Sequence, residues 1–269
     1  MGIHWKDAQE TILKELVSRQ RVGLVTDMDG TISYITEKPE DAVVTPRNHE
    51  LLQALNEKLT LVAIVSGRAV HSVTARMALP GVTYIGNHGL ERCVNGQVKH
   101  NFDIDQYLPA LAASVMELEE ISLDGVQIED KGVTVTLHYR QTENTEEVRD
   151  LLYPLVKKIA SKEGLAFFEG RMIFELRPPV KADKGIAFEN LVHEFSLDSV
   201  IYVGDDTTDI AALTTARQLR EKKACYAVGV GVMSNDYPNE LPKEADLLTS
   251  GVPDVENLFA WILENLDEG

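Results

Sequence analysis

The sequence is poor in cysteine, in aromatic residues and in positive charge. It has two cysteines, Cys93 and Cys225, in 269 residues. They are too few and too far apart for a disulfide framework or a zinc site, so a reduced, cytoplasmic setting is expected. No apolar run reaches the ~18 residues of a membrane span. The opening Met1-Gly2-Ile3-His4-Trp5-Lys6 lacks the apolar region of a signal peptide. It also fails the myristoylation pattern, which wants Ser or Thr where Lys6 stands. Lysine and arginine number 26 against 43 acidic residues, a formal net charge of −17. That excess repels nucleic acid and anionic membrane surfaces. There is no internal repeat and no low-complexity tract.

Hydrophobic residues make up 44% of the chain, enough for a substantial core, and the length allows one large or two modest domains. Trp5, Ala8, Ile12, Leu13, Leu16 and Val17 recur at helical spacing and predict an amphipathic helix. Apolar strands follow at Val22–Thr26, Leu61–Val65 and Val82–Ile85. Between them lies a helix opened by Thr45-Pro46 and running to Lys58, then another to about Leu79. Asn95-Gly96 marks a tight hairpin. Apolar strands alternating with helices indicate a parallel, doubly wound α/β sheet.

Near residue 105 the pattern changes. A helix at 105–120 precedes strands at Gly125–Asp130 and Val133–Arg140. A second helix at 145–163 precedes strands at Leu165–Phe168 and Met172–Arg177. This order predicts an antiparallel sheet with two helices on one face, closed by Pro178-Pro179. The α/β pattern then resumes with helices at 184–195, 208–222 and 252–266. Its strands are Val200–Val203, Ala224–Val228 and Ala245–Leu248. The expected architecture is a core of 1–104 and 179–269 carrying an inserted α+β domain, 105–178.

In open parallel sheets, ligands bind at the carboxyl ends of the strands. Four polar clusters fall at strand ends or helix starts: Asp27-Met28-Asp29-Gly30-Thr31, Ser66-Gly67-Arg68, Lys184, and Gly204-Asp205-Asp206-Thr207-Thr208-Asp209. Each alone also fits an ordinary turn, helix cap or solvated lysine. Together they supply two carboxylates, a hydroxyl, a cation and an acidic cage. That set suits phosphoryl transfer, in which one carboxylate attacks phosphorus and the other moves the leaving-group proton. The net charge repels a phosphorylated substrate at long range, so the site must carry its own positive charge. Gly229-x-Gly231 is a lone fragment of a nucleotide-binding pattern and carries no weight.

The order and wording of these clusters resemble the haloacid dehalogenase (HAD) superfamily of phosphatases, and the resemblance implies a HAD-like core with a cap. It implies Asp27 as the nucleophile forming an aspartyl-phosphate and Asp29 as the general acid/base. Ser66 would hydrogen-bond the phosphoryl group, with Gly67 and Arg68 beside it, and Lys184 would neutralise phosphoryl charge. Mg²⁺ would sit on the Asp27 carboxylate, the Asp29 backbone carbonyl and Asp205, with Asp206 and Asp209 completing or supporting that shell. Val126–Arg140, Gly170–Pro179, Gly86-Asn87-His88-Gly89-Leu90-Glu91 and Pro39-Glu40-Asp41-Ala42 resemble trehalose-6-phosphate phosphatases. Met28 and Ile210 depart from that family, which commonly has Tyr and an acid there, and Ile210 leaves the role of the acid open.

That branch implies a trehalose 6-phosphate substrate and functional coupling to a trehalose-phosphate synthase. Phosphatases for sucrose, glucosylglycerol or mannosylglycerate phosphates are the neighbouring alternatives, and a non-catalytic sugar-phosphate-binding module is the remote one. In the inserted domain, Val133, Val135, Leu137 and Tyr139 alternate with Thr134, Thr136, His138 and Arg140, while Met172, Phe174 and Leu176 alternate with Ile173, Glu175 and Arg177. Each strand thus has one polar face. Such a face is commonly solvated; with the resemblance, it is expected to bind sugar through Glu129, Lys131 and Glu175, with Arg140 and His88 as further substrate contacts.

Overall fold

The computed structural model describes residues 2–36, 41–234 and 237–266. Pro39 and Glu40 of the loop quoted above lie outside them. The chain enters through a two-residue strand, β1 (Ile3–His4), and a helical segment. The predicted uniform helix is in fact a 3₁₀ turn (Trp5–Ala8), a π turn (Gln9–Leu13) and a short α-helix, α1 (Lys14–Val17). The spacing of buried residues explains this. Ala8 and Leu13 are five apart, the repeat of a π turn, and Leu13, Leu16 and Val17 return to α spacing.

Next come β2 (Val22–Thr26), α2 (Pro46–Lys58), β3 (Leu61–Val65), α3 (Val70–Arg76) and β4 (Thr83–Gly86). Helix α2 starts as its sequence suggests. Thr45 caps it by accepting a hydrogen bond from the Asn48 N–H at 3.1 Å, and Pro46 occupies the first helical position. Strands β5 (Glu91–Val94) and β6 (Gln97–His100) flank Asn95-Gly96, whose φ values of 51° and 78° are those of a two-residue hairpin turn.

A separate stretch supplies α4 (Leu108–Glu119), β7 (Gln127–Asp130), β8 (Val135–His138), α5 (Thr145–Glu163), β9 (Ala166–Gly170) and β10 (Ile173–Arg177). The chain ends with α6 (Lys184–Glu194), β11 (Ser199–Gly204), α7 (Ile210–Glu221), β12 (Tyr226–Val232), α8 (Leu241–Glu244), β13 (Leu247–Thr249) and α9 (Val252–Asn265). Two compact units result, one of Met1–Val98 with Ala182–Gly269 and one of Lys99–Lys181.

The first unit holds a nine-stranded sheet in the order β1-β13-β12-β11-β2-β3-β4-β5-β6, parallel from β1 to β4 and antiparallel between β4 and β5. Strands β2, β3 and β11 are buried at every residue, as a sheet covered on both faces requires. Leu24, Ile64, Ile201, Val203 and Val228 pack on one face with α2, α3 and α9. Val25, Ala63, Val65, Val200 and Ala227 pack on the other with α6 and α7. The chain leaves β2 toward β3 and returns on the opposite side through β11. That reversal makes the carboxyl ends of β2 and β11 the topological switch point.

The second unit is an antiparallel sheet, β7-β8-β10-β9, with α4 and α5. Its core uses the alternation read from sequence: Val135, Leu137, Tyr139, Phe174 and Leu176 face the helices. Phe174 sits 5.2 Å from Tyr139 and 5.4 Å from Phe167, ring to ring, within the range of favourable aromatic pairs. The opposite face is not open to water throughout, because Thr134, Thr136 and Glu175 on it are buried.

Candidate active site

The sequence D-x-D-G-T folds as it does because the residue between its two aspartates is apolar. Met28 is fully buried in the core. Its carbonyl accepts the N–H groups of Ile32 and Ser33, both at 3.0 Å, and so closes the turn. Asp27, just past β2, donates its N–H to the Val203 carbonyl of β11 at 2.8 Å. Gly30 has φ 79°, and a Cβ there would lie 2.1 Å from Asp205 Oδ2, so this position both turns left-handed and lets Asp205 approach. Thr31 Oγ1 donates to Asp205 Oδ1 at 3.3 Å.

Lys184 opens α6 beneath this turn. Its Nζ lies 2.9 Å from Asp27 Oδ1 and 2.8 Å from Asp209 Oδ1, and all three side chains are buried. The Tyr202 hydroxyl of β11 donates to the same Asp209 oxygen at 2.6 Å. The backbone N–H groups of Asp205 and Asp206 donate to Asp209 Oδ2 at 3.2 and 3.0 Å. Asp209 therefore spends its acceptor capacity on the protein, fixing Lys184 on one side and the β11 exit on the other. Asp206 is exposed and caps the turn at Thr207–Asp209. Ile210 is half-buried against the α6/α7 face of the core, an apolar contact an acid would not make.

Electrostatics tie these groups together. Burial pushes the Asp27 carboxyl well above its usual range; Lys184 pulls it back, while Asp209, Asp205 and Asp29 push it further up. Burial and then Asp209 raise Asp205 to about 7. Burial would lower the Lys184 ammonium, but Asp209 and Asp27 outweigh it and hold it above the ordinary lysine value. Burial and then Asp209 likewise raise the Tyr202 phenol. One ammonium thus stands among several carboxylates.

Oxygen atoms of Asp27, Asp205 and Asp209 lie within 4.8 Å of one another, a buried group able to hold a metal ion. The donor set is all oxygen and short of positive charge, which fits a hard divalent cation. Asp27 and Asp205 suit direct contact better than Asp209, given the protein donors already on both Asp209 oxygens.

Beside the acids, Ser66 is buried at the end of β3 and its Oγ accepts the Arg68 N–H at 3.2 Å. Arg68 reaches Asp29 through two bonds, Nε to Oδ2 at 2.5 Å and Nη2 to Oδ1 at 2.8 Å. His88 adopts φ 57° and lays its imidazole over Gly67, where a Cβ would meet His88 Cε1 at 2.7 Å. The structure thus brings Asp27, Asp29, Ser66, Gly67, Arg68, His88, Lys184, Asp205 and Asp209 together in the first unit.

The remaining site residues named from sequence belong to the second unit. Glu175 is buried and accepts from Lys131 Nζ at 3.3 Å and Thr136 Oγ1 at 3.1 Å, with Arg177 on its other oxygen. Glu129 pairs with His138 Nε2 at 2.9 Å and lies 3.9 Å from Lys131. Arg140 is exposed in a turn beyond the end of β8 and does not share the strand face. Sequence reasoning missed Tyr202, which reads as one more apolar position of a core strand, and the Arg68–Asp29 pair, which joins residues 39 apart.

The fold is similar to that of a haloacid dehalogenase-like hydrolase from Bacteroides thetaiotaomicron, with TM-score 0.63, 16% identity, and 90% of this chain and 100% of that one covered. It also matches a trehalose-6-phosphate phosphatase related protein, with TM-score 0.76, 23% identity, and 90% and 97% covered. The fold is thus the HAD-like α/β fold of these structures, with the acid cluster at the carboxyl ends of its central strands. Residues 25–244 match the trehalose-phosphatase family model, and the chain belongs to that family. The trehalose-phosphate phosphatase of Mycobacterium tuberculosis is 35% identical over 202 residues, 72% of this chain and 51% of that protein. An uncharacterized glycosyl hydrolase of the same species is 31% identical over 235 residues, 84% of this chain and 17% of that protein. The chain therefore spans about half or less of the length of these curated relatives. No helix among the described residues is long and apolar enough to cross a membrane.

Proposed function

We propose that this chain hydrolyses trehalose 6-phosphate to trehalose and inorganic phosphate, a phosphoric monoester hydrolase of trehalose biosynthesis. The observation that carries the reading is the buried Asp27–Lys184 pair at 2.9 Å, set beside Asp205 at the topological switch point. Family membership directs the choice of substrate.

In this reading Asp27 attacks phosphorus, and the bond to the sugar oxygen breaks as Asp29 delivers a proton to that oxygen. The aspartyl-phosphate is then attacked by a water that Asp29 deprotonates, which releases phosphate and regenerates Asp27. Lys184 and Ser66 hold the phosphoryl oxygens, the positioning and charge neutralisation on which phosphoryl transfer depends. Asp27, the Asp29 carbonyl and Asp205 would hold Mg²⁺, which when bound neutralises charge on the carboxylates and the transferring group. Lys184 favours the ionised form of Asp27 against its burial, and a bound cation would act in the same direction.

The polar sheet face of the second unit supplies the sugar contacts through Glu129 and Lys131, with the buried Glu175 holding Lys131 in place rather than meeting the sugar, and Arg68 and His88 attend the phosphate. The substrate must come from a reaction that joins two glucose units with one bearing a 6-phosphate, so coupling to a trehalose-phosphate synthase follows from the chemistry. Two free, buried cysteines suit a cytoplasmic setting. Phosphate release from a panel of disaccharide and monosaccharide phosphates tests the reading. Turnover should be fastest on trehalose 6-phosphate, and a faster sucrose, glucosylglycerol or mannosylglycerate phosphate would replace it as substrate.

A further inference from the structure

Glu91 is a buried carboxylate at the start of β5, apart from the acid cluster. Its Oε2 accepts two hydrogen bonds, from Asn87 Nδ2 at 2.7 Å and from the backbone N–H of Val70 at 3.0 Å. Val70 is the first residue of α3, which follows directly on Ser66-Gly67-Arg68-Ala69. Asn87 and His88 are consecutive non-glycine residues in the left-handed region, with φ 48° and 57°, a conformation that surrounding contacts must impose. The same two residues grip the phosphate loop through their backbones: the Asn87 N–H donates to the Arg68 carbonyl at 2.7 Å, and the His88 N–H donates to the Ser66 carbonyl at 3.0 Å.

Glu91 therefore touches both strands of a clasp. One oxygen holds the helix that leads away from Ser66–Arg68 and the side chain of the turn that holds Ser66–Arg68 in place. Packing alone would favour an apolar side chain here, since a buried carboxylate carries a large desolvation cost. What the carboxylate supplies is a fixed geometry for two N–H donors.

We propose that Glu91, acting through Asn87 and the first turn of α3, is a positioning residue for phosphate binding, setting Ser66, Arg68 and His88. The proposal rests on the hydrolase reading above, and it adds a residue that never touches substrate.

A double-mutant cycle tests it. Wild type, Glu91→Gln, Arg68→Ala and the double variant are compared by calorimetric affinity for inorganic phosphate with Mg²⁺ present, by kcat/KM on p-nitrophenyl phosphate, and by thermal midpoint. Glu91→Gln should weaken phosphate about 10-fold and lower kcat/KM about 10- to 100-fold at a nearly unchanged midpoint. On the Arg68→Ala background the same change should cost less than in wild type, only the part exerted through Ser66 and His88 remaining, because residues that act through one another are non-additive. Asn87→Gly keeps the left-handed turn accessible while deleting the bond to Glu91, and it should reproduce the loss if Glu91→Gln folds poorly. Unchanged phosphate affinity in Glu91→Gln and Asn87→Gly, or full additivity with Arg68→Ala, overturns the proposal. Wild-type protein that binds phosphate yet releases none from any ester defeats the hydrolase reading, and the cycle in phosphate affinity still decides this one.

Discussion

Arg68 grips Asp29 at two points, one guanidinium nitrogen on each carboxylate oxygen, at 2.5 and 2.8 Å. The fork fixes the plane of the proposed acid/base before any substrate arrives. Lysine keeps the charge but cannot reproduce the planar fork. Arg68→Lys should therefore lower kcat/KM about 10- to 100-fold, roughly one charge-assisted bond's worth. A variant within a factor of two of wild type on both trehalose 6-phosphate and an aryl phosphate would show that Asp29 needs no such hold.

Asp27→Asn keeps the shape of the buried site and removes the attacking oxygen's charge. Activity should fall about 10³-fold or more, while phosphate still binds. Retention of more than about a tenth of the wild-type rate would remove Asp27 from the role of nucleophile.

Chelation should abolish turnover and added Mg²⁺ should restore it, with Ca²⁺ a poor substitute because it favours more ligands and looser geometry. Asp205→Asn should raise the Mg²⁺ concentration needed for half-maximal rate. Undiminished phosphate release in excess chelator would rule out a catalytic metal at the acid cluster.

Glu129 and Lys131 stand in the second unit, remote in sequence from the phosphoryl chemistry. Glu129→Ala should cost about 10- to 10³-fold in kcat/KM on trehalose 6-phosphate, as one or two sugar hydrogen bonds are lost. It should spare p-nitrophenyl phosphate. Lys184→Ala should cripple both substrates. Equal losses on both substrates for Glu129→Ala would mean that this face does not select the sugar.

Asp254 ties the N-terminal segment to α9. Burial would raise its carboxyl, but the Ser250 N–H at 3.0 Å, His4 at 3.0 Å and Lys6 at 3.7 Å more than offset this and hold it below the usual range. A carboxyl depressed in the folded state binds fewer protons there than when unfolded, so its contribution is complete above about pH 4 and fades as pH falls through the depressed value. The gap in thermal midpoint between wild type and Asp254→Asn should be fully developed just above about pH 4 and should narrow below it. A gap that stays constant down to pH 2 would contradict the linkage.

Strands Val22–Thr26 and Leu61–Val65 were legible to the residue because five-residue, mostly apolar runs bounded by polar residues are too short for a buried helix and fit a strand covered on both faces. Helix 145–163 was equally clear, bounded by Asn144 as cap and Gly164 at φ 68°. Strand β12 runs on to Val232, past the predicted end at Val228. Gly229 and Gly231 are both buried within the strand, Gly229 against Leu213 of α7. Asp27, Lys184 and Asp205 could be found because each stands where an element ends or begins. Tyr202 could not, and Asn87 and Glu91 stood out only as part of a resembling motif, since what each does lies in partners seen only in the fold. A tyrosine in a core strand and a glutamate opening a hairpin carry no local mark of such pairing.

The five-residue step between Ala8 and Leu13 gives the N-terminal segment one residue more than a regular helix needs, and the Lys14 N–H reaches back to the Gln9 carbonyl to close the wide turn. Deleting one exposed residue there, Glu10 or Thr11, would restore a four-residue step and leave Trp5, Ala8 and Leu13 on the same side. The entrance to the sheet should therefore absorb a length change that the neighbouring strands, locked in register on both edges, would not survive.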